Sequence, residues 1–371
     1  MHNHAIMMQL EVNEVTVAYD GKVVIEQVSF ALEPGRIGCL LGPSGCGKTS
    51  LLRAIAGFEP VRQGEIKLQG KVVSRVHAML APERRRVGMV FQDFALFPHL
   101  SVEKNVAFGL QHLPARQRNT RVAELLALVG MSELANVYPH QLSGGQQQRV
   151  ALIRAMAPRP DILLMDEPFS SMDAELREQL AREVRVLLKR DGITAVLVTH
   201  DQIEAFAMAD VIGVVGDRRL RQWDSGYRIY HNPADRFVAD FVGQGVMLPG
   251  RVLDKQRIEI ELGVVEGPVP ESCQAGCPIE VLLRPDDVIH DDASELKLEV
   301  KEKAFRGAEY LYTLKLPSGQ AILCMVQSHH NHQVGEMIGV HLAMDDLAVF
   351  PLKPEDAARM AANNTTQHEA H

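Results

Sequence analysis

The run Gly42-Pro43-Ser44-Gly45-Cys46-Gly47-Lys48-Thr49-Ser50 brings together the residue types that grip phosphate. Glycines admit the dihedrals that turn consecutive backbone N–H groups toward one anion, and a helix start behind them adds positive charge. In that setting Lys48 reaches the terminal phosphates and the Thr49 hydroxyl ligates Mg2+. A second stretch, Ile162-Leu163-Leu164-Met165, ends in Asp166-Glu167. Asp166 is expected to hold Mg2+ through water, and Glu167 to polarise the water that attacks the phosphate. Between them lies Leu142-Ser143-Gly144-Gly145-Gln146. The three segments point to a machine driven by ATP.

The elements that must position these residues are legible too. The apolar residues 37–41 precede the first glycine run and Leu51-Leu52-Arg53-Ala54-Ile55-Ala56 follows it, so the spacing predicts a strand–loop–helix junction. Similar apolar runs at 87–91, 162–165 and 195–199, separated by helical patterns, predict a buried and mainly parallel sheet. Upstream, alternation around Val15-Thr16-Val17 and Val28-Ser29-Phe30, with Asp20-Gly21 between, predicts a hairpin and an antiparallel edge for a nucleotide base to lie against. The periodic stretch 121–129 stops at Gly130, which reads as a glycine-capped helical insertion spanning about 94–157.

After Phe241 the texture changes. Gly243, Gly245, Pro249 and Gly250 lead into short alternating segments at 257–262 and 310–316, predicting a small all-β domain of the Greek-key, oligonucleotide/oligosaccharide-binding (OB) kind. The expected fold is therefore an α/β P-loop domain over 8–242, an all-β domain over 243–352, and a fraying polar tail over 353–371.

A net charge of -8 argues against a large basic surface for nucleic acid. No apolar stretch approaches the length that spans a bilayer, and Met1-His2-Asn3-His4 lacks a secretory pattern, so the expectation is a cytosolic or peripheral protein. Five scattered cysteines are no disulfide framework, and Cys273 and Cys277 read as isolated thiols.

The segment Leu142-Ser143-Gly144-Gly145-Gln146, continued by Gln147-Gln148-Arg149-Val150-Ala151, resembles the signature helix of the ATP-binding cassette (ABC) family. The resemblance implies a homodimer in which Ser143, Gly144, Gly145 and Gln146 face the ATP held by the partner's P-loop. It makes Tyr19 the aromatic that stacks on adenine, and Gln92 a catalytic glutamine that senses Mg2+ and the permease. His200 becomes the switch histidine on the γ-phosphate beside catalytic Glu167, and Asp173 the loop aspartate that couples the two sites. Taken singly, Tyr19 is also an edge aromatic, Gln92 a loop polar group and His200 a helix-start residue; their joint order along the chain carries the reading. Ser171-Met172 departs from the Ala or Asn with Leu that is commoner there.

The segment 94–110 is similar to the permease-facing surface of bacterial importers. The β domain resembles the regulatory domain of importer ATPases for sugars, polyamines, molybdate and ferric iron. Leu283-Arg284-Pro285-Asp286-Asp287-Val288, the stretch 303–308 and Ser328-His329-His330-Asn331-His332 are similar to ferric-iron import ATPases. Together these likenesses imply the energy-coupling subunit of a ferric-iron importer, with an inner-membrane permease and a periplasmic binding protein, peripheral at the cytoplasmic face. Sugar or polyamine import is the alternative, and a soluble ABC protein of DNA or ribosomes fits less well because no long coiled coil interrupts the cassette. The histidines at 329–332 read as a solvated turn, since ferric iron prefers oxygen donors.

Overall fold

The computed structural model describes residues 7–170, 172–344 and 346–352; the expected tail at 353–371 and Ser171 lie outside the described residues. The chain divides into two compact units that meet between Gly226 and Tyr227.

The first unit carries the expected parallel sheet. Its strands run in the order Arg219–Asp224, Val211–Gly216, Ile37–Leu41, Thr194–Thr199, Ile162–Asp166 and Val87–Val90. All neighbours pair in parallel except Arg219–Asp224, which returns antiparallel on the edge. Ile37–Leu41, Thr194–Thr199 and Ile162–Asp166 are buried at every position, which is why they read as continuous apolar runs rather than alternating ones.

The hairpin is present as Leu10–Tyr19 paired antiparallel with Lys22–Leu32, turning at Asp20-Gly21. It belongs to a second, five-stranded sheet. The helix Lys48–Ala56 shares one apolar core with both sheets, joining Leu10, Val12 and Ile25 to Leu40, Leu164 and Val198. Leu51, Leu52 and Ile55 on that helix are fully buried, each contributing about 1.5–3 kcal/mol of transfer free energy that fixes its start against the strand ends.

The insertion is helical, with Val102–Ala107, Ala115–Leu128 and Gly144–Met156. Gly130 has φ 65° and ends the second of these as expected, its N–H donating to Ala127 O while Met131 N–H donates to Leu126 O.

The second unit is all-β after two short helices, Gly226–His231 and Arg236–Phe241. The helices group with the strands because Tyr230 Oη donates to Asp286 at 2.9 Å and Arg236 Nη1 to Glu280 at 2.5 Å. Two five-stranded antiparallel sheets enclose a core of Leu248, Ile258, Val281, Tyr312, Ile322 and Val340. Cys273 and Cys277 are free thiols, as the sequence suggested, but their sulfurs lie 3.1 Å apart. Cys273 N–H donates to Pro270 O and Cys277 N–H to Gln274 O, and these turns fold the short span back on itself.

Candidate active site

The carboxyl ends of the parallel strands collect the candidate residues, the edge at which open α/β sheets bind ligands. The loop from Gly42 leaves the strand Ile37–Leu41 and enters the helix at Lys48. Gly42 and Gly47 are required by close approach, since a Cβ on either would sit 2.3 Å from a carbonyl oxygen, of Val215 and Val24 respectively. Pro43, Ser44 and Gly45 are exposed, and Cys46 is buried beneath them. Lys48 is 4% exposed, and its Nζ donates to Gly42 O at 2.7 Å and Pro43 O at 2.8 Å. The ammonium thus lies inside the loop that would wrap a phosphate, next to Thr49 and Ser50.

Thr49 Oγ1 donates to Asp166 Oδ1 at 2.8 Å. Asp166 is buried, and desolvation raises its carboxyl pKa against the opposing hydrogen bond from Thr49. Next to it, Glu167 adopts φ 48°, a left-handed conformation that costs a bulky side chain about 1–3 kcal/mol. Two bonds hold it there: Glu167 N–H donates to Val198 O at 3.0 Å, and Gln148 Nε2 on the signature helix donates to Glu167 O at 3.1 Å. The carboxylate is thereby aimed at His200, whose Nδ1 lies 3.3 Å from Glu167 Oε1. His200 remains half exposed, so its other face is open to a ligand.

Ser143 caps the helix Gly144–Met156, accepting from Gln146 N–H while Gln146 Oε1 accepts from Ser143 N–H. Ser143 and Gly144 are exposed, and a Cβ on Gly144 would meet open space. This helix start therefore points outward, with Gly145 and Gln146 half-buried behind it. Asp173 caps the helix Ala174–Asp191 by accepting from Leu176 N–H at 3.0 Å. Tyr19, at the hairpin tip, is 36% exposed. Gln92 is exposed just beyond Val87–Val90, whose Val90 is in register with Met165. Thus Lys48, Thr49, Asp166, Glu167 and His200 are joined by proximity, whereas Tyr19, Gln92, Ser143 and Asp173 stand on surrounding exposed edges.

Some supporting residues carry no sequence motif of their own. Arg177 pairs with Asp201 at 2.6 Å and donates to Met172 O at 2.9 Å, tying the residues beside His200 to those beside Asp173. Buried Glu204 accepts from Thr199 at 2.6 Å, immediately before His200. On the signature helix, Arg154 donates to Phe94 O at 3.1 Å and Ala95 O at 2.6 Å, holding two left-handed residues that follow Gln92. Arg154, whose partners lie 59 and 60 residues away, leaves no local periodic signal.

The model of the ABC transporter family matches residues 25–170, and that of the TOBE domain matches 281–350. The putrescine transport ATP-binding protein PotG of Escherichia coli K12 is 40% identical over 346 residues, covering 89% of this chain and 90% of the relative. The chain belongs to the ABC transporter family. A spermidine/putrescine import ATP-binding protein of Pseudomonas fluorescens is 41% identical, covering 86% of this chain and 90% of that protein. An Fe(3+) ions import ATP-binding protein of Haemophilus influenzae is 38% identical, covering 80% and 85%. Among solved structures, the ATP-binding cassette MJ0796, a dimer in a post-hydrolysis state with ADP and Pi, matches with a TM-score of 0.54 and 30% identity. It covers 58% of this ABC transporter chain and 98% of its own. The α/β ATPase fold with a C-terminal OB-like TOBE domain agrees with the sequence expectation. Among the described residues, no helix is long and apolar enough to cross a membrane.

Proposed function

We propose that the chain binds ATP at the seams of a homodimer and hydrolyses it to drive an inner-membrane importer, peripheral at the cytoplasmic face. The observation that carries this reading is the meeting of Lys48, Thr49, Asp166, Glu167 and His200 at one sheet edge while Ser143 presents a helix start outward. An outward anion site needs a phosphate from elsewhere, and a second copy of this chain supplies it.

ATP entering the loop replaces the Gly42 and Pro43 carbonyls as partners of Lys48. Backbone N–H groups of the loop and Lys48 then neutralise the phosphates, with Tyr19 against the adenine. The Thr49 hydroxyl and the Asp166 carboxylate, 2.8 Å apart, are oxygen donors that suit a hard cation. Thr49 and Asp166, with Gln92 as a further candidate ligand, would hold Mg2+, which would neutralise charge on the phosphate oxygens. Glu167 accepts a proton from the attacking water, and His200 orients the carboxylate and touches the γ-phosphate. Asp173, on the loop tied to His200 through Arg177, relays the state of one seam to the other. Replacing Glu167 by Gln should leave ATP bound and an ATP-trapped dimer on size exclusion; a monomer with rapid turnover would contradict the reading.

For the solute we infer a polyamine, a reading supported by the identity and coverage of the putrescine and spermidine relatives. Ferric iron is the second reading, supported by the motifs at 283–288 and 303–308 and by the Haemophilus relatives. The ATP site itself contacts no solute, so the two are separated by uptake. Deleting the gene should abolish uptake of labelled putrescine or spermidine and spare ferric iron; the opposite pattern would establish the iron reading.

A further inference from the structure

The turn at 328–332 is not a loose solvated segment. Buried Tyr312 donates its hydroxyl to His330 O at 2.8 Å and accepts from His332 N–H at 2.9 Å. Lys303 Nζ donates to Asn331 Oδ1 and His332 O, both at 2.9 Å. These bonds fix the backbone so that two of its imidazoles face a third, His290, from the distant strand Val288–His290. The ligand nitrogens of His290, His330 and His332 all lie within 4.8 Å of one another, and all three residues are partly buried. We propose that these three histidines form a binding site for a divalent transition-metal ion, with Zn2+ the best match, in the C-terminal β unit.

The geometry suits such an ion. His290 Nε2 and His332 Nε2 are 3.1 Å apart. Zn–N bonds of about 2.0–2.1 Å at tetrahedral angles place ligand nitrogens about 3.3 Å apart. Without a cation, two facing nitrogens at this distance must share one proton between two lone pairs. His332 is also oriented from behind: its Nδ1 lies 2.9 Å from Glu336 Oε1, and Glu336 Oε2 accepts from Gln333 N–H at 2.8 Å. A carboxylate on Nδ1 fixes the tautomer that leaves Nε2 free to coordinate, the usual arrangement behind a metal-bound imidazole. The His290 side chain is 7% exposed, so its imidazole is held in place by packing. The Asp292 carboxylate lies 3.2 Å from His290 Nε2 and is 80% exposed, outside the cluster of three imidazoles, so the fourth position is left to water. Three imidazole nitrogens suit Zn2+ and disfavour ferric iron, so the site is distinct from any handling of ferric iron as solute. Coordination would clip the 328–332 turn to the strand Val288–His290 inside one unit.

The test is Zn2+ titration of the full-length chain by calorimetry, with Co2+ as a spectroscopic substitute. The expected result is one ion per chain at about micromolar affinity or tighter, and Co2+ visible absorption of tetrahedral type. His290→Ala and His332→Gln should each remove that binding while far-UV circular dichroism and ATPase activity stay as in the parent. Glu336→Gln should weaken it about 10–100-fold, and His329→Ala, outside the cluster, should leave it intact. Absence of stoichiometric binding, persistence of binding in the folded His290→Ala or His332→Gln variants, or equal loss in His329→Ala would overturn the site.

Discussion

Thr49 and Asp166 are separated by more than a hundred residues, yet the Thr49 hydroxyl donates to the Asp166 carboxylate at 2.8 Å across the end of the parallel sheet. The bond spans one intervening strand, Thr194–Thr199, because Ile37–Leu41 and Ile162–Asp166 both pair with it. That strand delivers His200 to the same edge. One sheet order therefore sets the glycine loop, Asp166 and His200 side by side.

Lys48→Ala should lower ATP affinity by about a hundredfold or more, because it deletes the charge aimed at the terminal phosphates. It also leaves the Gly42 and Pro43 carbonyls without their donor, so the apo protein should be destabilised by about 1–3 kcal/mol. Equilibrium binding of a fluorescent ATP analogue and thermal melting measure the two effects. Near-parental affinity would refute the role given to Lys48.

Arg177→Met should lower kcat by about 10–100-fold with little change in KM. The variant loses the ties to Asp201 and Met172 O that place His200 and Asp173, without touching the phosphate loop. Steady-state ATPase kinetics separate the two constants, and Arg177→Lys should recover part of the loss. A change confined to KM would mean the residue acts on ATP binding instead.

Arg154→Ala should uncouple transport. Its guanidinium holds the Phe94 and Ala95 carbonyls in the segment that follows Gln92 and leads to exposed Phe108. Basal ATPase of the isolated subunit should persist, while solute moved per ATP falls in membranes containing the permease. Unchanged coupling would exclude this surface from energy transfer to the permease.

The sheet, the hairpin and the insertion were readable because each rests on local periodicity: Ile37–Leu41 is apolar at every position, and Asp20-Gly21 permits only a tight turn. That Lys48, Thr49, Asp166, Glu167 and His200 would come together was readable because phosphate chemistry demands fixed types at fixed spacing. The braces were not. Arg154 acts through carbonyls about sixty residues away, and Arg177 through Asp201 on another element, so the chain around them announces neither contact. His290 illustrates the same limit, since the turn at 328–332 gave no hint of a third imidazole from an earlier strand. The closeness of Cys273 and Cys277 likewise depended on turns that their spacing alone did not specify.

The contribution of Asp287 to the stability of the C-terminal unit should fall as pH rises from about 4 to about 6. Burial pushes the Asp287 carboxyl up to about 6, above its unfolded value of about 3.9, although Arg284 N–H donates to it. Between those values the folded state holds a proton that the unfolded chain has released, so stability is full below the window and lost through it. Asp287→Asn keeps an acceptor for Arg284 N–H and removes the titration. Thermal melts across this range should therefore show the variant gaining stability relative to the parent as pH rises, and parallel curves would contradict the assignment.

Hydrolysis of ATP between the P-loop of one subunit and the Ser143 helix start of another is the core of the proposed mechanism. Mixing Lys48→Ala with Ser143→Arg tests it most directly, because each homodimer has lost both composite sites. A mixed dimer regains one site from an intact P-loop and an intact signature, so random pairing should restore up to about a quarter of parental ATPase. Recovery on mixing, absent from either variant alone, is the result this mechanism predicts. No recovery from a mixture shown to contain the mixed dimer would contradict it.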